Sequence, residues 1–533
     1  MKLERCSGIL AHPTSFPSQY GMGDLGSGTY QFVDFLQKSN QKLWQILPFG
    51  PTSFGDSPYQ SFSTFAGNHY LISPDILVGE KYLEPAELLD RPYFDTWSVD
   101  YGRVIPYKMG LFKKAFEAFK ESGTPEQKAQ FEAFAAENQK WLEDYSLFVA
   151  AKNYFIEERR NTFEPVEFKE FKEANSKSLT EDQAKDFYYG AVWITWPEEL
   201  ALRTPEGLGR WREKLGDEIY YAKFLQYEFF REWKLVKDYA NKAGVSIIGD
   251  IPIFVAMDSS DVWANQKLFQ LDKKGHPLAV AGVPPDYFSE TGQLWGNPLY
   301  DWDANAKENY DWWTDRVGLT LKLVDILRID HFRGFAAYWS VPYGEPTAVN
   351  GEWIKGPGNA FFEALSKNLK KDVSELPIIA EDLGLMTPEV IALRDSTGLP
   401  GMKILQFAWA GDNTDDYLPH NYTTTNSVVY TGTHDNDTTF GWYASATEAE
   451  RDYFRKYMNV SGNNAAWDLI RLAYSSVAAY AVIPVQDLMN LGTEHRMNTP
   501  GKAVGNWQFR YASDMLKDEI ASGLRYFCEV FRR

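Results

Sequence analysis

The stretch LVDILRIDHFRG, residues 323–334, decides how this chain is read. An apolar, β-branched run of strand length spends its charge near its C-terminal end, on Arg328 and Asp330, and side chains two apart on a strand share a face. Three other runs are built the same way. VSIIGDIPIF (245–254) carries Asp250, LPIIAEDLG (376–384) leads to Glu381, and VVYTGTHDND (428–437) leads to His434 and Asp435. Strands that are apolar almost throughout belong to parallel sheets buried on both faces, and a parallel barrel builds its active site at the C-terminal strand ends.

Working outward, GILAHP (8–13), KLWQILPFGP (42–51), MKILQFAW (402–409) and YAVIPVQ (480–486) read as four further strands, with helical pattern such as FVDFLQKSN (32–40) between them. Eight strands alternating with helices predict an α/β fold, a (β/α)8 TIM barrel taking in 1–533 as one catalytic unit. A doubly wound open sheet competes, but no G-x-G-x-x-G or P-loop follows an early strand. Residues 70–240 read as a largely helical insertion, clearest from Lys108 to Ala240, where Phe112, Phe116 and Phe119 recur at helical spacing. Within it Trp193, Trp196 and Trp211 are expected to form core, with a glucan-docking surface as the alternative. The segments DSPYQSFSTFAGN (56–68) and GVPPDYFSETGQLWGNPLYDW (282–302) mix rings with Gly, Pro, Asn and Ser. They read as loops, and 256–302 as an aromatic active-site loop region. The tail after Asp487 is too short for a C-terminal β-sandwich.

Composition narrows the partners. The 533 residues carry a net charge of −19, which makes phosphate backbones and anionic membranes poor partners, so neither nucleic acid nor membrane is expected. Two cysteines, Cys6 and Cys528, have no metal-type spacing, and no run of about 18 apolar residues or signal-like leader appears. A cytoplasmic protein is the expectation. Oligomeric state is not legible.

The strand-end carboxylates fit glycosidic chemistry, which needs one acid to protonate the leaving oxygen and a second carboxylate to meet positive charge at the anomeric carbon. Asp330, two residues beyond Arg328, is expected to be held ionised by that guanidinium and to suit a nucleophile; Glu381, after the apolar IIA, is expected to be desolvated and protonated, suiting the general acid. Asp435 beside His434 supplies a third carboxylate for sugar hydroxyls. Singly, each has a plain structural explanation in an ion pair or a helix cap. Three convergent acids without matching cations are costly unless used.

Taken together, DILRIDHFRG, AEDLG, TGTHDNDT, DSPYQSFSTFAGN and GVPPDYFSETGQLWGNPLYDW resemble the 4-α-glucanotransferases, also called amylomaltases or disproportionating enzymes, of the α-amylase clan, over essentially the whole chain. The resemblance implies transfer of a 1,4-α-glucan segment to the 4-OH of an acceptor glucan or glucose, by a retaining double displacement through a covalent glycosyl-enzyme. It implies Asp330 as nucleophile, Glu381 as acid/base and Asp435 as transition-state stabiliser, with Arg328, His434, Asp250 and His331 binding substrate. Tyr59 resembles the family's stacking platform, and Asp286, Tyr287, Phe288 and Trp295 the loop over the acceptor side. The partners implied are α-1,4-glucans and maltooligosaccharides, with no cofactor and no metal. DIPIFVA and DHFRG stand where amylases usually carry Asn-His and Lys-His, which points away from an α-amylase-type hydrolase, the runner-up.

Two readings from other classes compete. A metal-dependent hydrolase would use His12, His331, Asp330, His434 and Asp435, but no pair of histidines has H-x-H spacing. A non-catalytic glucan-binding barrel has no use for both Asp330 and Glu381.

Overall fold

The computed structural model describes residues 3–176, 179–285, 289–384, 386–502 and 504–533. Its strands in chain order are β1 (Cys6–Leu10), β2 (Leu43–Gln45), β3 (Ser246–Pro252), β4 (Ala279–Val283), β5 (Gln293–Pro298), β6 (Ile326–Asp330), β7 (Ala337–Pro342), β8 (Glu352–Lys355), β9 (Ile378–Ala380), β10 (Gly401–Ile404), β11 (Ser427–Tyr430) and β12 (Tyr480–Pro484).

Eight of them form one parallel sheet in the order β10-β11-β12-β1-β2-β3-β6-β9. The Ala380 N–H donates to Pro400 O at 2.9 Å, joining the last strand to the residue before the first and curling the sheet into a barrel. Each of the eight apolar runs read from the sequence contributes one of these strands. The strands are shorter than the runs: MKILQFAW gives strand only to Ile404 and then turns through Leu405–Phe407. β-Branched and aliphatic side chains fill both faces, with Ile9, Ile247, Ile248, Leu327, Ile329, Ile378, Val428 and Ile483 fully buried.

Between β2 and β3 the chain is helical. Helices Tyr101–Ser122, Pro125–Glu137, Gln139–Arg159 and Gly216–Lys242 are the long ones. Thr124 opens the second of them, with its side chain accepting from the Gln127 N–H, the Gln127 side chain returning the bond, and Pro125 in the first turn. Phe116 and Phe119 pack on Phe224 at 5.6 and 5.0 Å, so the phenylalanine rhythm of the sequence is an interhelical seam.

One expectation fails here. The stretch 282–302, read as loop, contributes to a second, antiparallel sheet of order β5-β4-β7-β8. Gly292 and Gly296 adopt φ of 67° and 77°, and the β4/β5 register shifts between Val280 and Gly282. A glycine-kinked, bulged ribbon has the composition of a loop, which hides its strands from a pattern reading. Among the described residues no helix is long and apolar enough to cross a membrane.

Candidate active site

Parallel pairing of β3 with β6 sets Asp250 directly beside Arg328. Arg328, only 3% exposed, spans two carboxylates: Nη1 donates to Asp250 Oδ2 at 2.5 Å and Nη2 to Asp330 Oδ1 at 2.8 Å, while Nε faces the Met402 sulfur at 3.4 Å. Asp250 is wholly buried and also accepts from the Tyr59 hydroxyl at 2.8 Å; Asp330 keeps 27% of its side chain open to solvent. One buried guanidinium shared by two carboxylates fixes the position of both.

That sharing alters the electrostatics expected from the sequence. Burial is the largest influence on Asp330 and lifts it to about 6; Arg328 pulls it down, and Asp250 and Asp435 push it up again. Asp330 is still ionised at neutral pH, held so by Arg328, but its pKa stands above the ordinary value because burial disfavours the charge and half of the stabilising cation is engaged by Asp250.

Glu381 follows β9 directly, with its backbone N–H bonded to Ile329 O at 3.0 Å and its carbonyl accepting from Phe332 N at 3.1 Å. These bonds lock it to the strand that carries Asp330. Its Oε2 accepts from the His331 N–H at 2.6 Å and its Oε1 from the Leu383 N–H at 2.8 Å. Those donors and Arg328 favour the anion, but burial and the nearby charge of Asp330 outweigh them and lift Glu381 to about 8. The pair thus splits: the proton resides on Glu381 and the charge on Asp330.

His331 sits between them with φ of 54°, a left-handed conformation that turns the chain out of β6. Burial holds its imidazole neutral, at about 3, and its edge meets the Trp295 ring at 4.8 Å and 85°. Trp295 belongs to β5, so the second sheet reaches the barrel mouth here. Asp286, Tyr287 and Phe288 lie outside the described residues.

Asp435 lies five residues beyond the end of β11, on a loop and not on the strand itself. Its Oδ1 is 3.3 Å from His434 Nε2 and accepts from Asn498 Nδ2 at 2.6 Å, and its carbonyl accepts from Arg496. Tyr59 stacks on the His434 ring at 5.1 Å and 17°, and Trp507 leans on both. Asn498, Arg496 and Trp507 were not singled out in the sequence. All three lie in RMNTPGKAVGNW (496–507), whose Asn, Pro and Gly punctuation was the available signal.

Asp250, Tyr59, Arg328, Asp330, His331, Glu381, His434 and Asp435 thus gather at one mouth of the barrel. His12 is buried and neutral, held at about 3 by burial, with Nδ1 accepting from Leu47 N at 3.3 Å. Among the described residues no group of three or more His, Cys, Asp or Glu is placed to hold a metal ion. The arrangement joins an ionised carboxylate, a protonated one and polar groups suited to hydroxyls, which is what substitution at an acetal carbon requires.

Comparison with known proteins agrees with this geometry. A family described as 4-alpha-glucanotransferase matches residues 11–190 and 166–516. A 4-alpha-glucanotransferase of Synechocystis is 47% identical over 532 residues, covering 99% of this chain and 98% of its own, and one of Thermus thermophilus is 44% identical over 540 residues, covering both chains fully. The solved amylomaltase of Streptococcus agalactiae in complex with acarbose superposes with a TM-score of 0.89 at 36% identity, over 99% of this chain and 100% of that one.

Proposed function

This chain belongs to the 4-alpha-glucanotransferase family, and from that premise we propose how its own residues carry out the transfer. The protein is a 4-α-glucanotransferase: it moves a segment of an α-1,4-glucan from donor to acceptor by a retaining double displacement, and hydrolysis is not the favoured outcome.

In the first step Glu381 gives its proton to the glycosidic oxygen while an Asp330 oxygen bonds to the anomeric carbon, and the leaving chain departs with a free 4-OH. In the second, the 4-OH of an acceptor attacks that carbon, its proton passes to Glu381, and the bond to Asp330 breaks. Asp435, with His434, grips sugar hydroxyls more tightly as the ring flattens, and Tyr59 with Asp250 lines the same subsite. The observation that supports this reading above the others is the Arg328 bridge from Asp250 to Asp330 beside a Glu381 pushed to about 8.

Trp295 and the described part of the 282–302 segment lie over the acceptor side and keep water from the covalent intermediate, the role that the sequence resemblance also implies for Asp286, Tyr287 and Phe288. Residues 70–240 form a helical subdomain fixed on the barrel, and 256–302 an active-site region built on the second sheet. The substrates are maltooligosaccharides and longer α-1,4-glucans in the cytoplasm.

With maltotriose, this reading expects longer maltooligosaccharides plus glucose or maltose at a constant total of reducing ends. A steady rise in reducing ends would make the protein a hydrolase. Replacing Tyr287 and Phe288 by Ala should lower the ratio of transfer to hydrolysis, and an unchanged ratio would remove the water-exclusion role.

A further inference from the structure

Trp193, Trp196 and Trp211 are 0%, 5% and 8% exposed, so they are core and offer no docking surface. The polar chemistry that the mechanism has not used lies below the barrel mouth. Asp487, three residues past the end of β12, is 1% exposed, and three donors meet its carboxylate. Its Oδ2 accepts from Thr431 Oγ1 and from Thr439 Oγ1, both at 2.6 Å, and its Oδ1 accepts from the Thr439 N–H at 2.7 Å. Thr431 directly follows β11, and Thr439 opens helix Thr439–Ser445. One carboxylate therefore holds both ends of the loop that carries His434 and Asp435.

Gln406, in the turn after β10, doubles the clamp. Its backbone N–H donates to Thr431 O at 3.1 Å, and its Nε2 donates to Asp437 O at 2.9 Å and to Thr439 Oγ1 at 3.3 Å. The Thr439 hydroxyl thus accepts from Gln406 and donates to Asp487, which fixes its rotor. Both threonines are wholly buried, whereas Asp435 keeps 44% of its side chain exposed at the loop's open part. The loop is rigid where it leaves the barrel and open where it meets a ligand.

None of the three donors is cationic, and burial raises the Asp487 pKa against their pull. A carboxylate buried in this way is costly, and an apolar side chain would fill the volume with less desolvation. What the carboxylate adds is direction: donors converge on it at set angles, and strand ends of the barrel dictate where the loop begins and ends.

We propose that Asp487 is a positioning residue of the transfer reaction, which acts through Thr431 and Thr439 to set how Asp435 and His434 meet the sugar ring. The inference rests on the role given to Asp435 above. A group that tunes the placement of a transition-state contact governs kcat and leaves ground-state binding nearly untouched.

The test removes one clamp hydroxyl at a time, by Thr431→Val and Thr439→Val, which conserve shape, and restores it by Thr431→Ser and Thr439→Ser. On maltotriose, kcat should fall about 10-fold in each valine variant with KM within about 2-fold of the parent, and each serine variant should return kcat to within about 3-fold. Arg533→Met, at the opposite end of the barrel, is the control for lost stability alone and should keep the parent's kcat. A parental kcat in both valine variants, a change confined to KM, or serine variants as slow as the valine ones would overturn the proposal. An equal loss of kcat in Arg533→Met would overturn it too. Should neither valine variant fold, Thr431→Ala and Thr439→Ala are read in the same way, and failure of all four to fold would make the clamp a matter of stability and end the proposal. Asp435→Asn at parental activity would instead strike the role of Asp435, so the two failures are told apart.

Discussion

The backbone N–H of His331 donates to Oε2 of Glu381 at 2.6 Å, so the residue next to the proposed nucleophile holds the proposed acid. Two strands that are neighbours in the barrel, β6 and β9, are thereby stitched together at the point of reaction. The relative position of the two carboxylates is set by backbone, which moves less than side chains do, and reacting groups must be held to within a fraction of an ångström.

Activity should follow a bell-shaped pH profile. Asp330 must be ionised and Glu381 protonated, so kcat/KM should fall on the acid side near 6 and on the alkaline side near 8, with both limbs belonging to the coupled pair. A profile flat from pH 5 to 9 would contradict the assigned roles; those two test values are about a unit outside the limbs.

Stability should respond to the same groups with a defined sign. Glu381 is raised from its ordinary 4.5 to about 8, so the folded state binds this proton more tightly than the unfolded chain. Its contribution is then greatest below 4.5 and is lost as pH rises through about 8. Glu381→Gln should therefore increase Tm relative to the parent more at alkaline than at acid pH, and an equal shift at both would refute the raised pKa.

Arg328→Met should abolish transfer and destabilise the fold. It leaves Asp250 wholly buried with a charge and no cation, at a cost of about 3–5 kcal/mol by urea unfolding. Arg328→Lys should not rescue, because one ammonium cannot span the two carboxylates that the guanidinium fork reaches.

Asn498→Ala should leave the fold intact and lower kcat/KM by about 10²-fold, since the Asp435 carboxylate loses the 2.6 Å donor that orients it. The effect should fall mainly on kcat if Asp435 acts on the transition state; a change confined to KM would assign it to ground-state binding.

Arg533→Met should destabilise without touching catalysis. The Arg533 guanidinium donates to the carbonyls of Cys6, Tyr474 and Ala479 at 3.0, 2.8 and 3.0 Å, clasping the end of helix Ala465–Ser475 to the β1/β12 seam of the barrel. Loss of these charge-assisted bonds should cost about 2–3 kcal/mol, read as a lower urea midpoint at unchanged specific activity of the folded protein.

What the sequence determined by itself was the barrel and the position of its chemistry along the chain. Strands apolar on both faces declare a parallel sheet, and carboxylates confined to their ends mark its mouth, because each signal is local and repeats with the period of a strand. Arg328, Asp330 and Glu381 were legible for that reason. The second sheet was not, since Gly292 and Gly296 give a bulged ribbon the composition of a loop.

Only the tertiary structure decided how the charges are shared. Two residues along one strand suggest that Arg328 serves Asp330, but register across β3 and β6 gives half of it to Asp250, and burial then lifts Asp330 where the guanidinium alone would have lowered it. Asn498 and Trp507 reach Asp435 and Tyr59 from the far end of the chain, at separations no periodicity encodes. Desolvation and through-space charge depend on what surrounds a group in three dimensions, and a residue's sequence neighbours are only a small part of that surrounding.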